Sequence, residues 1–189
     1  MRRADIDPTD DLAALEVVIG PMRRRHLSSV LRIEQQVHPR PWTTGLFLSE
    51  IAYGPTRVYV TARIGSKVVG YGGLMLVAED GHITTLSVDP RWHRHKIGTR
   101  ILLTLAGAAI EREAQNLTLE VRVGNEAAQR LYQAFGFSPA GVRKGYYVET
   151  GEDALIMWAN DIDSEAYASR LAALTAGLPC PTVTEPLPR

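Results

Sequence analysis

Cysteine is nearly absent from this 189-residue chain: Cys180 stands alone in a proline-rich C-terminal stretch. One thiol excludes an internal disulfide and any cysteine-based metal centre. No apolar run approaches the ~18 residues that a membrane span needs. Met1 to Asp11 hold two arginines followed by acids, with no apolar centre, so a secretory signal is not expected and the default compartment is the cytoplasm. Net charge is missing as well, since 21 Lys and Arg balance 21 Asp and Glu. That balance speaks against whole-molecule attraction to nucleic acid or to an anionic membrane, and the basic segments lack an aromatic platform.

What is present suffices for one domain with extensions. Hydrophobic residues make up 45% of the chain, enough for a polypeptide of this length to bury most of its apolar surface. The expected segmentation is a flexible extension over 1–14, one domain over 15–160, a helix within 161–177, and a disordered proline-rich tail over 178–189.

Within the domain, Leu15 to Ile19 reads as a strand stopped by Gly20-Pro21. Helical spacing follows over Met22 to Val37, and Thr43 or Thr44 is the N-cap expected for a second helix. Arg57 to Ile64 and Lys67 to Ala78 read as strands around a Gly65-Ser66 hairpin turn. Glu79-Asp80-Gly81 is expected to turn before a strand over His82 to Asp89. A long helix starts near Ile97, and Leu117 to Val123 alternates as a strand with Thr118, Glu120 and Arg122 on its polar face. Asn125 is placed to cap a helix that Gly136 ends. Two strands are expected near Val142 to Val148 and Ala154 to Trp158, then a helix over Asp163 to Ala176. The order β-α-α-β-β-β-α-β-α-β-β describes a mixed α/β domain.

Three features could carry chemistry. The helix start at Ile97-Gly98-Thr99, after a basic loop, presents free N–H groups and a positive dipole that suit a phosphate. A solvated loop is the plain alternative. Glu120 sits in mid-strand, either solvated on an edge or lining a cleft. Tyr132 falls in the apolar stripe of the next helix, where a tyrosine is ordinarily a core residue with its hydroxyl at the rim. His93-x-His95 has metal-ligand spacing, but no third ligand is near and no metal is expected.

Taken together, these residues resemble a family. Val88-Asp89-Pro90, Arg94-His95-Lys96-Ile97-Gly98-Thr99, Leu119-Glu120-Val121-Arg122, Asn125, Leu131-Tyr132 and Gly136-Phe137 are similar to the GCN-type N-acetyltransferase superfamily. With Arg143-Lys144-Gly145-Tyr146-Tyr147 and Glu152 to Met157, they resemble its bacterial ribosomal-protein-alanine N-acetyltransferases, the RimI type. The resemblance covers about 19–158.

It implies a single mixed sheet whose two central strands splay apart to admit acetyl-CoA. The backbone of Leu86, Ser87 and Val88 would pair with the cosubstrate's pantetheine arm. Arg94, His95, Lys96, Ile97, Gly98 and Thr99 would wrap its pyrophosphate, and Asn125 would lie beside it. Glu120 would be the general base and Tyr132 the general acid. A free N–H near Leu86 to Val88 is the candidate donor to the carbonyl oxygen. Trp42, Tyr71, Arg143, Tyr146 and Tyr147 would frame the acceptor, expected to be a protein N-terminus beginning with alanine on a small-subunit ribosomal protein. Because successive strand residues face opposite ways, at most one of Tyr146 and Tyr147 is expected in a cleft.

One departure stands out. The family pattern Gln/Arg-x-x-Gly-x-Gly/Ala reads here His93-Arg94-His95-Lys96-Ile97-Gly98. A lysine in the first glycine's place is either strained in a left-handed backbone or reshapes the loop. Two further readings stay open: a small-molecule amine acetyltransferase on this scaffold, and a non-catalytic acyl-CoA-binding module.

Overall fold

The computed structural model describes residues 16–188, so the extension expected over 1–14 lies outside the described residues. Chain order is β1 (Val17–Pro21), a short 3-10 turn, α1 (Leu27–Val37), α2 (Thr44–Ala52), β2 (Arg57–Ile64), β3 (Lys67–Val77) and β4 (Asp80–Val88). Then come α3 (Ile97–Ile110), β5 (Asn116–Arg122), α4 (Glu126–Ala134), β6 (Ser138–Tyr147), β7 (Glu152–Ala159), α5 (Glu165–Ala176) and β8 (Thr182–Thr184). All strands join one eight-stranded sheet in the order β6-β7-β5-β4-β3-β2-β1-β8. Pairing is parallel at β4–β5 and β1–β8 and antiparallel elsewhere.

Local chemistry accounts for most boundaries. The Thr43 hydroxyl accepts the Leu46 N–H at 3.2 Å and the Asn125 side chain accepts the Ala128 N–H at 3.1 Å, each satisfying an orphan donor of a first helical turn. Gly136 adopts φ 86° after α4, a conformation open to glycine at little cost.

Two cores flank the sheet. Alternation in β2 sends Val58, Val60, Ala62 and Ile64 toward Ile101, Leu102 and Leu105 of α3, and Tyr59 toward Leu27, Val30 and Ile33 of α1 and Phe47 of α2. Each fully buried aliphatic side chain contributes about 1.5–3 kcal/mol. α3 lies very close to β3: a Cβ at Gly72 would sit 2.6 Å from Ile101 Cγ2.

Two expectations fail in informative ways. The turn before β4 is made by Ala78, at φ 52°, and Glu79, so that Val77 pairs with Asp80. Gly81 lies inside β4, where a Cβ would meet Leu117 Cδ2 at 2.8 Å; its missing side chain serves packing. The tail expected to be disordered instead returns to the sheet. Thr182–Thr184 pairs with Val17–Ile19, and Glu185 donates its N–H to Ile19 at 2.8 Å. Arg100, 1% exposed, donates to the Thr182 hydroxyl at 2.5 Å and to the Cys180 carbonyl at 2.8 Å, while Arg63 forms an ion pair with Glu185.

The feature that matters for chemistry is in mid-sheet. β4 and β5 pair only through Asp80–His82 and Asn116–Thr118, then part. Beyond that point Ile83–Val88 and Leu119–Arg122 present two facing strand edges with a gap between them. The tail runs on the far side of β1 and does not cover this gap.

Candidate active site

The gap opens into a cleft of about 400 Å³. Glu34, His38, Arg40 and Trp42 border it from the α1–α2 side, His82 to Leu86 from β4, and Leu119 to Arg122 from β5. Asn125, Leu131 and Tyr132 close it from the α4 side, and Tyr146, Tyr147 and Glu149 from the β6–β7 hairpin. Asp89 donates its N–H to Val69 on β3. Strand alternation therefore turns the N–H groups of Leu86 and Val88 the other way, into the gap. Such an edge can pair with an extended amide-bearing chain as if it were a further strand.

Glu120 stands where the strands diverge, its side chain 9% exposed. Its two oxygens have separate partners: Oε2 lies 3.1 Å from His82 Nε2, and Oε1 lies 3.1 Å from Arg143 Nη1. Burial holds the His82 imidazole below its ordinary pKa; Glu120 opposes that shift and Arg143 adds to it. At neutral pH, His82 is thus an uncharged ring that orients the carboxylate through one N–H. Arg122 braces the hairpin by donating to Glu149 at 2.6 Å, Glu152 at 2.9 Å and the Thr150 hydroxyl at 2.8 Å, with its guanidinium 3.7 Å over the Tyr147 ring. Burial raises the Tyr147 phenol to about 12.

Tyr132 reaches the same cleft from α4. It is 7% exposed, its ring packs against Phe137 at 5.8 Å between centroids, and burial pushes its phenol well above the ordinary value. The hydroxyl therefore stays protonated at neutral pH.

Beside the cleft, Lys96 caps α3 with φ 58° and ψ 15°. Lysine has taken the left-handed backbone that glycine favours, so the loop keeps its turn and carries strain. Arg94 also has a positive φ, 66°. His93 and His95 turn back onto their own segment: His93 Nε2 lies 3.1 Å from the Val88 carbonyl and His95 Nδ1 lies 2.6 Å from the His93 carbonyl. Ile97 is buried in the core, so only its backbone faces outward, followed by Thr99 in the first turn of α3. A Cβ at Gly98 would lie 3.3 Å from Leu131 and 3.6 Å from Leu86; the bare backbone thus lets α3, α4 and β4 converge at the mouth of the gap.

Several sequence expectations need correction. Tyr71 is fully buried and absent from the cleft. Gly70 and Gly72 face α3, so Tyr71 points the opposite way and packs edge-on against Phe47 at 5.7 Å. Tyr146 and Tyr147 both line the cleft, because Gly145 at φ 58° and a register break between Arg143 and Tyr147 interrupt the alternation. Arg143 reaches the site at Glu120, its Nη1 3.1 Å from Oε1. Ser87, expected to offer its backbone to the gap, pairs with Tyr71 and shares the direction of the Asp89 N–H, toward β3, so only Leu86 and Val88 face the gap; its side chain lies 2.8 Å from His38 Nε2. Sequence reasoning assigns no site role to His82, His38 or Glu34, and names Arg122 only within the motif around Glu120. His82 pairs with Thr118, which shares a face with Glu120, a register between distant segments that no local pattern records.

Residues 27–137 match the Acetyltransferase (GNAT) family model. The Mycobacterium tuberculosis protein named N-alpha-acetyltransferase RimI is 35% identical over 147 residues, covering 75% of this chain and 90% of its own. The Escherichia coli [ribosomal protein bS18]-alanine N-acetyltransferase is 30% identical over 141 residues, covering 74% and 94%. A crystal structure of the Escherichia coli ribosomal-protein-S18-alanine N-acetyltransferase superposes with a TM-score of 0.69 at 28% identity, covering 77% of this chain and 94% of that one.

Proposed function

The chain belongs to the acetyltransferase (GNAT) family, and on that premise we propose that it moves an acetyl group from acetyl-CoA to the α-amine at a protein N-terminus, with alanine first and a ribosomal protein as acceptor. The observation that carries the reading is the parted β4–β5 edge, with Glu120 and Tyr132 lining one cleft. The names of the relatives support the choice of acceptor. The strand-edge amides of β4, the bare backbone at Gly98 and the start of α3 fit an extended amide-bearing arm ending in a pyrophosphate. Acetyl-CoA supplies an activated thioester.

The residues then divide the work. The amine must lose a proton before it attacks. An α-amine of pKa near 8 is roughly one-tenth neutral at pH 7, whereas a lysine at ~10.4 is neutral only about once in a few thousand. That difference amounts to ~3.3 kcal/mol at about 1.36 per unit, so a carboxylate is better matched to an N-terminus than to a lysine. Glu120, oriented by His82 and Arg143, takes that proton directly or through a water. The Leu86 or Val88 N–H donates to the carbonyl oxygen as negative charge grows there. Tyr132, held protonated by burial, gives its proton to the departing sulfur, and the second proton shed by the attacking nitrogen as the amide forms restores the phenol. No covalent enzyme intermediate is needed.

The test is acceptor competition with acetyl-CoA, read by mass: an alanine-initial ribosomal peptide against a polyamine in one tube. The peptide is expected to be acetylated first. Preferential acetylation of the polyamine would replace this reading with a small-molecule acetyltransferase.

A further inference from the structure

Besides Glu120, the cleft holds one deeply buried carboxylate that the transfer leaves unused. Glu34 lies on α1 and is 2% exposed. Its Oε1 accepts the Trp42 N–H at 2.9 Å. Its Oε2 is buried without a hydrogen-bond partner, 3.6 Å from His38 Nε2, and that same nitrogen lies 2.8 Å from Ser87 Oγ on β4. Burying a carboxylate is costly, and burial raises its pKa against the opposing pull of the Trp42 N–H. Helix packing alone does not ask for it there. The position continues the buried stripe of Leu27 and Val30, where leucine would serve.

What the carboxylate holds is the segment between α1 and α2. Residues 38–43 have no helix or strand of their own, and Pro39 and Pro41 supply no N–H to anchor them. The Trp42 N–H is the donor that Glu34 captures. The indole that follows packs on Phe47 at 5.2 Å and against Tyr59 at 6.4 Å between centroids, and it borders the cleft. We propose that Glu34 is a positioning residue: by holding the Trp42 N–H it fixes the indole as a rigid wall at the acceptor end of the cleft, which restricts the acceptor's first side chain to a small one. The inference rests on the N-terminal acceptor reading given above.

The test uses the full chain, acetyl-CoA and two peptides identical except for alanine or leucine in first place, mixed in one tube and read by mass. The ratio of the two products does not depend on the fraction of enzyme folded. Wild type should favour alanine. Glu34→Leu, which keeps the volume and removes the acceptor, and Glu34→Ala should each lower the alanine-to-leucine ratio by about tenfold or more, the scale on which pocket walls discriminate side chains. Trp42→Ala should reproduce the shift. Glu34→Gln, whose amide oxygen still accepts the Trp42 N–H, should keep the wild-type ratio. An unchanged ratio in both Glu34→Leu and Glu34→Ala overturns the proposal, as does an equal shift in Glu34→Gln. Failure of both apolar variants to fold also overturns it, making Glu34 a determinant of the fold. If wild type acetylates neither peptide, the acceptor reading itself has failed and this inference falls with it.

Discussion

Replacing Lys96 separates backbone strain from charge in the loop before α3. Lys96 holds φ 58°, a conformation that costs a side-chain-bearing residue about 1–2 kcal/mol. Lys96→Ala keeps that strain and removes the charge; Lys96→Gly removes both. Glycine also gains freedom in the unfolded chain, which offsets about 0.4–1 kcal/mol. The net expectation is that the glycine variant is more stable than the alanine variant by about 0.5–1 kcal/mol, or roughly 1–4 °C in Tm for a chain of this size. Thermal unfolding followed by circular dichroism measures that difference. Acetyl-CoA affinity, by calorimetry, should respond to charge alone. Lys96 is exposed, and one exposed charge is worth about 0–1 kcal/mol, so both variants should bind up to about fivefold more weakly than wild type. A glycine variant less stable than the alanine variant would refute the strain. Acetyl-CoA binding absent in wild type and restored by glycine would show that the lysine blocks the site.

Tyr132→Phe should lower the acetyl-transfer rate about 10²-fold, the low end for a lost general acid, with little change in urea stability because the ring packing remains; an unchanged rate removes Tyr132 from the chemistry. Burial holds His26, His38 and His82 below the ordinary imidazole pKa. The unfolded chain therefore takes up protons first as pH falls below about 6.5, and the urea midpoint should drop between pH 7.5 and 5.5; a constant or rising midpoint contradicts this. Ending the chain at Gly177 strips the buried Arg100 of its Thr182 and Cys180 partners and should cost at least about 2 kcal/mol in urea unfolding; an unchanged midpoint would mean the tail adds nothing.

Local chemistry was legible in the sequence, and distant partnership was not. Thr43, Asn125, Gly136 and the Gly65-Ser66 turn each declare themselves within a few residues, because a cap or a positive φ is decided by the nearest backbone groups. Glu120 and Tyr132 were readable as polar residues in otherwise apolar patterns, given the family they resemble. Gly81 misled because a glycine needed for close packing looks the same as one needed for a turn. The tail misled because the order of Thr182–Thr184 comes from Arg100, Arg63 and the β1 edge, far away in the chain, while its prolines give the local signal of disorder. Tyr71 could be assigned a side only once Gly70 and Gly72 were known to face α3. Glu34 and His38 acquire their meaning from Trp42 and Ser87, through contacts that no periodicity records.

Two quantities measured on Glu120→Gln decide whether this carboxylate takes the proton: transfer of acetyl to an alanine-initial peptide, and affinity for acetyl-CoA. A carboxylate that takes the amine's proton predicts a loss of turnover of at least about 10²-fold with affinity unchanged, since the amide keeps the shape and the parted strands are untouched. Turnover that survives the substitution would take Glu120 out of the chemistry.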